Sequence, residues 1–262
     1  MSYKKDLEAA GISYLGNVSQ SMKLRLSEEH GVLTYGVYLA PANMSGYEVC
    51  PCSSFCREFC LNASGHNKID LLAGRNRIQS ARIRKTRLFF EDRDRFMRIL
   101  IHEISRARKQ AEAKGLGFAV RLNCTSDLNP EEFVYDGRNI LEIFKDVQFY
   151  DYTKVPKRLS LLNKYPNYDL TFSYDGHNGR ICSDFLDKGG KVAVVFGDLH
   201  TLPKKFMGHN VHDGNAYDMR YLDPAGVVGL HYHPVAGDYK NGKFIMPNTA
   251  FVVGRSDNRA IW

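Results

Sequence analysis

The sequence predicts an α/β fold in the form of a full or partial (β/α) barrel. Short apolar segments closed by polar residues follow one another after Gly117, and the segments between several of them are long enough for a helix. No Gly-rich linker or repeat divides the 262 residues. We therefore expect a single domain over residues 1–262, with a parallel sheet built from β/α units.

The first half of the chain predicts one strand and two helices. Apolar and polar residues alternate over residues 33–39, which indicates a strand, and Pro41 ends it. Residues 68–90 and 92–114 contain no proline and predict two helices. Gly115 is expected to end the second helix.

Six further strands are expected in the second half. They are short and rich in apolar, β-branched residues, as is typical of parallel strands buried on both faces. They cover residues 118–123, 147–152, 169–173, 191–196, 227–231 and 251–253. Helices are expected between them at 139–144, 157–164 and 182–188. This alternation is TIM-barrel-like.

The composition excludes several classes of protein. Hydrophobic residues make up 44% and charged residues 25%, which is ordinary for a globular chain. The apolar runs are too short to cross a membrane and the N-terminus lacks a signal-peptide pattern, so we expect a cytoplasmic protein without a membrane partner. Neither a dinucleotide-binding G-x-G-x-x-G nor a phosphate-binding G-x-x-x-x-G-K-[ST] motif is present.

Four of the six cysteines lie in residues 50–60, CPCSSFCREFC. Clustered cysteines in a chain without an export signal indicate metal or redox chemistry, and a disulfide framework is the weaker alternative. A helix beginning at Ser54 or Phe55 would put two of the thiols one turn apart on one face. The candidate metal ligands are Cys50, Cys52, Cys56 and Cys60.

The spacing of these cysteines favours an iron–sulfur cluster over zinc. Zinc sites usually use cysteine pairs separated by two residues, whereas a [4Fe–4S] cubane accepts wider spacing. A structural zinc is the second interpretation and unligated thiols the third. Three ligands would leave one iron open to a substrate or cofactor, and four would close the cluster. Cys124 and Cys182 are expected to be buried apolar residues, with Cys124 as an alternative extra ligand.

Polar residues directly follow the predicted strands, where parallel β/α folds bind their substrates. They include Asn123, Ser126, Asp127, Asp151, Tyr152, Lys154, Ser173, Asp175, Asp198, His200, His231 and His233. If the protein is an enzyme, the candidate catalytic residues are Asp127, Asp151, Lys154 and, from the polar stretch 209–223, Asp213. The candidate cofactor-binding residues are Asn123, Ser126 and Ser173. For each residue singly, a helix cap or turn is the ordinary alternative.

A net charge of +7 is concentrated in an arginine-rich stretch that begins at Arg75 and runs past Arg98. Such a stretch attracts phosphate, so nucleic acid is a candidate partner. A solvated helix face is the commoner origin of a charge run.

Several motifs resemble the bacteriophage gene product 88 family over most of the chain, from Gly36 to Val253. They are CPCSSFCREFCLNASG, RIQSARIRKTRLFFEDRDRF, RLNCTSDLNPEEF, FYDYTKVPKR, NYDLTFS and DGNAYDMRYLDPAGVVGL. The resemblance implies a phage-encoded protein, acting in the host cytoplasm, with a cysteine-bound centre in a β/α architecture. It implies no particular reaction.

A cysteine loop after the first strand of a partial barrel also resembles, more distantly, the radical S-adenosylmethionine enzymes. There, three cysteines hold a [4Fe–4S] cluster whose open iron binds S-adenosylmethionine, with the spacing C-x3-C-x2-C. Here the spacing is C-x-C-x3-C-x3-C.

Three functions follow as hypotheses. The first is a phage [4Fe–4S] protein, a radical-SAM-like or redox enzyme acting on a small-molecule or macromolecular substrate. The second is a nucleic-acid-binding phage protein with a structural zinc or cluster. The third is a host-interaction protein that keeps an enzyme-like fold without its chemistry.

Overall fold

The computed structural model describes residues 2–18, 21–53, 55–57, 60–198, 200–235, 238–240, 243–244 and 252–254. Its helices are α1 (Tyr3–Ala10), α2 (Met22–Glu29), α3 (Gly65–Leu72), α4 (Arg77–Glu91), α5 (Arg93–Ala113), α6 (Ile140–Ile143), α7 (Leu161–Lys164) and α8 (Gly179–Asp187). Its strands are β1 (Gly16–Asn17), β2 (Val32–Val37), β3 (Gly117–Arg121), β4 (Val134–Tyr135), β5 (Arg138–Asn139), β6 (Gln148–Thr153), β7 (Tyr168–Ser173), β8 (Lys191–Phe196), β9 (Lys205–Phe206), β10 (His209–Asp213), β11 (Gly226–His231), β12 (Tyr239–Lys240), β13 (Lys243–Phe244) and β14 (Val252–Val253).

A mostly parallel sheet forms the centre of the molecule. Its strand order is β1-β2-β3-β6-β7-β8-β11-β10-β9, and β14 pairs with β8. Strands β2, β3, β6, β7, β8 and β11 pair in parallel and in chain order, which confirms the predicted α/β class. Within the described ranges β1 and β9 each pair on one side only, so closure into a barrel is not confirmed.

The helices α4 and α5 cover one face of the sheet. Val120 and Phe149 point to this face and are fully buried in one cluster with Phe96 and Leu100 of α5 and Phe89 of α4. Burying each such side chain contributes about 1.5–3 kcal/mol. This core fixes the face of the sheet that carries the helices and leaves the other face for the polar residues described below.

The helix predicted at 92–114 is confirmed by α5. Asp92 begins it, because its side chain accepts a hydrogen bond from the Arg95 amide at 3.1 Å. The prediction of one helix over 68–90 is wrong, since α3 ends at Leu72 and α4 begins at Arg77. Gly74 lies between them at φ 68°, a left-handed conformation that glycine adopts without strain and that stops the helix.

The remaining predicted elements are found with shifted bounds. The strands from 118–123 to 227–231 correspond to β3, β6, β7, β8 and β11. The helix predicted at 157–164 is a five-residue 3-10 helix, Pro156–Ser160, followed by the single turn of α7. The last predicted strand, 251–253, is confirmed for Val252 and Val253, and Phe251 lies outside the described residues.

The second face of the sheet is partly covered by the polar segment after β10. The ring of Tyr221 lies 5.5 Å from that of Tyr150 on β6. Lys191 on β8 donates to the carbonyl of Arg220 at 2.5 Å. This segment therefore packs against the second face of the sheet, from Tyr150 on β6 to Lys191 at the start of β8. No helix among the residues that the structure describes is long and apolar enough to cross a membrane.

Candidate functional site

A cavity of about 230 Å³ lies at the carboxyl ends of the central strands. The cysteine segment, residues 50–60, forms one side of it, and residues on or after five parallel strands form the rest. Its wall comprises Cys50, Cys52, Ser53, Cys56, Cys60, Arg121, Asn123, Cys124, Thr125, Ser126, Asp127, Tyr152, Thr153, Lys154, Ser173, Tyr174, Ala193, Val195, Asp218 and Leu230. The structure thus brings the cysteines and many of the predicted strand-end residues to one place.

Hydrogen bonds tie the chain after β2 to the loop after β3. The hydroxyl of Thr125 donates to the carbonyl of Leu39 at 2.6 Å, and the Asp127 amide donates to the carbonyl of Val49 at 2.7 Å. The Cys50 thiol lies 3.9 Å from the carbonyl oxygen of Thr125. These contacts fix where the cysteine segment begins relative to the strand ends.

The cysteine segment is built from short turns. The Ser53 amide donates to the carbonyl of Cys50 at 2.9 Å, and 3-10 turns cover Phe55–Arg57 and Leu61–Ala63. The predicted α-helix from Ser54 or Phe55 is therefore wrong for the described part of this segment. Residues 54, 58 and 59 lie outside the described ranges. The reason is local: a tight turn at Pro51 and a 3-10 turn at Cys56 bring the thiols to the cavity without a helix.

Three of the four thiols act on one another. The pKa of Cys50 is raised to about 12, chiefly by burial; the amide of Ala42 opposes the shift, and Cys60, Asp127 and Cys56 add to it. Burial also raises the pKa of Cys60, where the amide of Asn62 opposes the shift by donating to the sulfur and Cys56 adds to it. Cys50, Cys56 and Cys60 are therefore one electrostatic group.

Cys52 lies in a different environment from that group. Burial raises its pKa first, Asp127 and Asp175 raise it next, and Lys154 lowers it. Its thiol thus faces charged groups at the strand ends. In the described part of the chain, no group of three or more His, Cys, Asp or Glu side chains is arranged to hold a metal ion.

The loop after β3 is held by the side chain of Asn123. Its oxygen accepts from the Ser126 hydroxyl at 2.8 Å and the Leu128 amide at 2.9 Å, and its nitrogen donates to Asp151 and to the carbonyl of Leu128. Asp151 is fully buried and does not line the cavity. The predicted cofactor residues Asn123 and Ser126 and the predicted catalytic residue Asp151 therefore shape the wall of the cavity.

Asp127 and Lys154 lie on the cavity wall between β3 and β6. Asp127 accepts from the Lys154 amide at 2.8 Å and forms an ion pair with the buried guanidinium of Arg158. Lys154 acts electrostatically on Cys52 and Cys60. Ser173, at the end of β7, also lines the cavity and is almost fully buried.

The far end of the cavity holds a cluster of polar side chains that was not predicted as a group from the sequence. Arg121, at the end of β3, forms an ion pair with the buried carboxylate of Asp218, and its guanidinium lies 4.7 Å from the ring centre of Tyr152. The Tyr152 hydroxyl donates to Asp218 at 3.3 Å. The sequence offers one indication of this cluster. Side chains alternate along β6, so Tyr152 and Asp151 lie on opposite faces of the sheet.

Comparison with known proteins identifies the family. The family model described as gene product 88 matches residues 11–243, which is most of the chain. The chain belongs to the gene product 88 family. This confirms the resemblance to the phage family indicated by the motifs. No curated protein and no solved structure matches the chain, so the radical S-adenosylmethionine resemblance gains no support from them.

In this gene product 88 protein the arginine-rich stretch has internal partners. Arg95 and Arg98 pair with the buried carboxylate of Asp6, and Arg75 and Arg77 with that of Asp70. The others donate to oxygen atoms of neighbouring segments: Arg82 to Asn62, Arg84 to Gly11, Arg87 to Ser45 and Arg93 to Phe89. These contacts give the basic stretch a structural use.

The other predicted site residues lie away from the cavity. Asp213 is exposed at the end of β10, where its carboxylate accepts from the amide of Asn215 at 2.8 Å. Cys182 is buried in α8, whereas Cys124 lines the cavity. Asp175, Asp198, His200, His231 and His233 are also absent from the cavity wall. The site of this gene product 88 protein is thus concentrated on β3, β6 and the cysteine segment.

Proposed function

We propose that this gene product 88 protein binds a [4Fe–4S] cluster through Cys50, Cys56 and Cys60 and takes a small molecule into the adjoining cavity. The observation that carries the proposal is the shared cavity, which is lined by thiols on one side and by strand ends on the other. A centre that only stabilised a loop would not need such a neighbouring space. The protein would then be an enzyme of the host cytoplasm.

The choice of three ligands is supported by the environments of the thiols. Cys50, Cys56 and Cys60 act on one another, whereas Cys52 is surrounded by Asp127, Asp175 and Lys154. Thiolates on separate irons of a cubane tolerate the C-x3-C separation of Cys56 and Cys60. A cluster held by three cysteines keeps one iron available to a molecule in the cavity.

Residues of the strand ends would orient that molecule. Lys154 supplies a positive charge beside Cys52 and Cys60, and the ion pair of Arg121 and Asp218 supplies polar groups at the far end. When bound, the cluster supplies an electron or a Lewis-acidic iron. S-adenosylmethionine is the first molecule to test. The radical S-adenosylmethionine enzymes, which the sequence distantly resembles, also carry a cysteine loop after the first parallel strand of a partial (β/α) barrel.

The test is iron and acid-labile sulfide analysis, with a visible spectrum, on protein purified without oxygen. We expect about four irons with matching sulfide per chain in the wild type. Cys50→Ala, Cys56→Ala and Cys60→Ala should each lose most of the iron, while Cys52→Ala should keep it. Cys182→Ala, which changes a buried thiol outside the cavity, is the matched control.

Three outcomes would contradict the proposal. Zinc without sulfide would assign the cysteines a structural role. Equal iron in the Cys56→Ala variant and the wild type would remove the cysteine segment from metal binding altogether. Loss of iron in Cys52→Ala to the same degree as in Cys56→Ala would instead show a four-cysteine cluster and close the iron to ligands.

A further inference from the structure

Arg82 is a partly buried cation next to the cysteine segment. It lies in α4, its guanidinium donates to the side-chain oxygen of Asn62, and its guanidinium carbon lies 5.2 Å from the ring centre of Tyr38. Asn62 is itself buried, and its amide donates to the sulfur of Cys60 at 3.4 Å. Arg82 is therefore connected to the cysteine centre through a single intervening residue.

The charge of Arg82 has no carboxylate to balance it within ion-pair distance among the described residues. The groups that act on it electrostatically are Tyr38, Cys60, Cys124 and Tyr14, none of which is a carboxylate. Its Nε atom is buried and has no acceptor in the described part of the chain. Burial lowers the pKa of Arg82, but an arginine stays protonated.

Some other arginines of this stretch pair with carboxylates, whereas Arg84, Arg87 and Arg93, like Arg82, donate to oxygen atoms outside carboxylates. Arg95 and Arg98 pair with Asp6, and Arg75 pairs with Asp70 at 3.1 Å. A partly buried charge without a carboxylate partner is costly, so it persists where something else compensates for it. The candidate source of compensation is the neighbouring group of thiols around Cys60.

We propose that the group held by the cysteine segment is anionic and that Arg82 is its counter-ion. The inference rests on the proposed function, because it concerns what the cysteines hold. Three or four thiolates more than balance the charge of an oxidised cubane or of a zinc ion, so either centre carries net negative charge. Arg82 is thus a positioning and charge-balancing residue of the site.

This role gives Arg82→Met opposite effects in the two states of the protein. Without metal, the substitution removes a partly buried charge that no carboxylate of the described residues balances, so the midpoint of denaturant unfolding should rise. With metal, it removes the counter-ion, so iron should be lost to a chelator about tenfold faster or more. A residue that merely packed against the loop would shift both states in the same direction.

Two further variants sharpen the experiment. Arg82→Lys keeps the charge and should retain iron better than Arg82→Met. Arg84→Met is the matched control, because Arg84 lies in the same helix, is exposed and donates to the carbonyl of Gly11 at 3.0 Å. We expect Arg84→Met to change neither iron retention nor the stability of the metal-free protein beyond the spread of repeats.

The proposal is overturned if Arg82→Met holds iron as the wild type does, or if it destabilises the metal-free protein. A second contradicting result concerns Glu58, which lies outside the described residues. The proposal is overturned if Glu58→Gln makes the metal-free protein less stable and if Arg82→Met then no longer raises its stability. Glu58 would then be the counter-ion. If the wild type binds no metal at all, the proposed function fails, whereas a stability gain in Arg82→Met would still support an anionic occupant.

Discussion

The carboxylate of Asp151 accepts hydrogen bonds from both amides of Asn123, from the backbone at 2.8 Å and from the side chain at 2.9 Å. Asp151 also accepts from the Tyr168 hydroxyl at 3.1 Å, and it is fully buried. Burial raises its pKa, and the nearby Arg158 opposes that shift. Asp151 thereby fixes the loop after β3 from the side that faces away from the cavity. The loop itself forms one wall of the cavity.

Asp151→Asn should destabilise the fold. The amide of asparagine turns one acceptor into a donor that faces Asn123 or Tyr168, so we expect a loss of about 1–3 kcal/mol in the free energy of unfolding. Urea titration followed by circular dichroism measures it. Asp213→Asn, at the exposed end of β10, is the control and should change stability by less than about 0.5 kcal/mol. Equal effects of the two substitutions would contradict this account.

Glu103→Gln should loosen the N-terminal segment. The buried carboxylate of Glu103 accepts from the hydroxyls of Tyr3 and Tyr35 at 2.8 and 2.6 Å and from the amide of Gly16 at 2.9 Å. A glutamine loses one of these acceptors, at a cost of about 1–3 kcal/mol. Faster hydrogen exchange at the Leu15 and Gly16 amides would show it. Glu112→Gln, in an exposed pair with Arg108, should leave that exchange unchanged.

Lys85→Met should stabilise the protein at pH 7. Burial lowers the pKa of Lys85 to about 8, whereas an unfolded lysine titrates near ~10.4. Below pH 8 both states carry the charge and the cost of burying it is fully present. The ring centre of Tyr14, at 4.1 Å, offsets part of that cost, which leaves a gain of about 1–2 kcal/mol.

The advantage of Lys85→Met should shrink as the pH rises. Between pH 8 and ~10.4 the unfolded state binds more protons at this position than the folded state, so wild-type stability increases relative to the variant. Urea titrations of both proteins at pH 7 and pH 10 measure the difference. Lys109→Met, on an exposed turn of α5, should show no such convergence. A pH-independent gain would assign the effect to packing.

Binding of nucleic acid should be weak and insensitive to the arginine-rich stretch. Its arginines already donate to acceptors of the same chain. Among those in ion pairs, Arg77 is the most accessible, with 78% of its side chain exposed. Arg77→Ala should therefore change the affinity for a labelled duplex by less than about twofold. Fluorescence anisotropy across a salt series measures this. Tight binding that weakens steeply with salt, and is lost in Arg77→Ala, would favour the nucleic-acid hypothesis.

Much of the fold could be predicted because the sheet is repetitive. Strands such as β8 combine apolar side chains with a length of six residues, and α5 carries apolar residues at helical spacing with Asp92 at its start. Strand β10 was missed because His209–Asp213 contains one apolar residue and reads as a turn. Strand β10 pairs in parallel with β11 through backbone hydrogen bonds, which do not require apolar or β-branched residues in β10.

The site was predicted less completely because loops decide which strand-end groups meet. The cysteines and the residues after β3 were found from local patterns. The ion pair of Arg121 and Asp218 joins residues 97 positions apart, so no sequence window contains both. Alternation along β6 would have placed Asp151 with Phe149 on the helix-covered face and Tyr152 on the cavity face.

The cavity is lined by residues from Cys50 to Leu230, and this span has a consequence for synthesis. The cysteine segment leaves the ribosome early, whereas the strands that face it are added one after another until β11. A metal delivered to the nascent chain would meet exposed thiols without the opposite wall. For the proposed centre, this order of synthesis favours assembly after release, when β11 has joined the sheet.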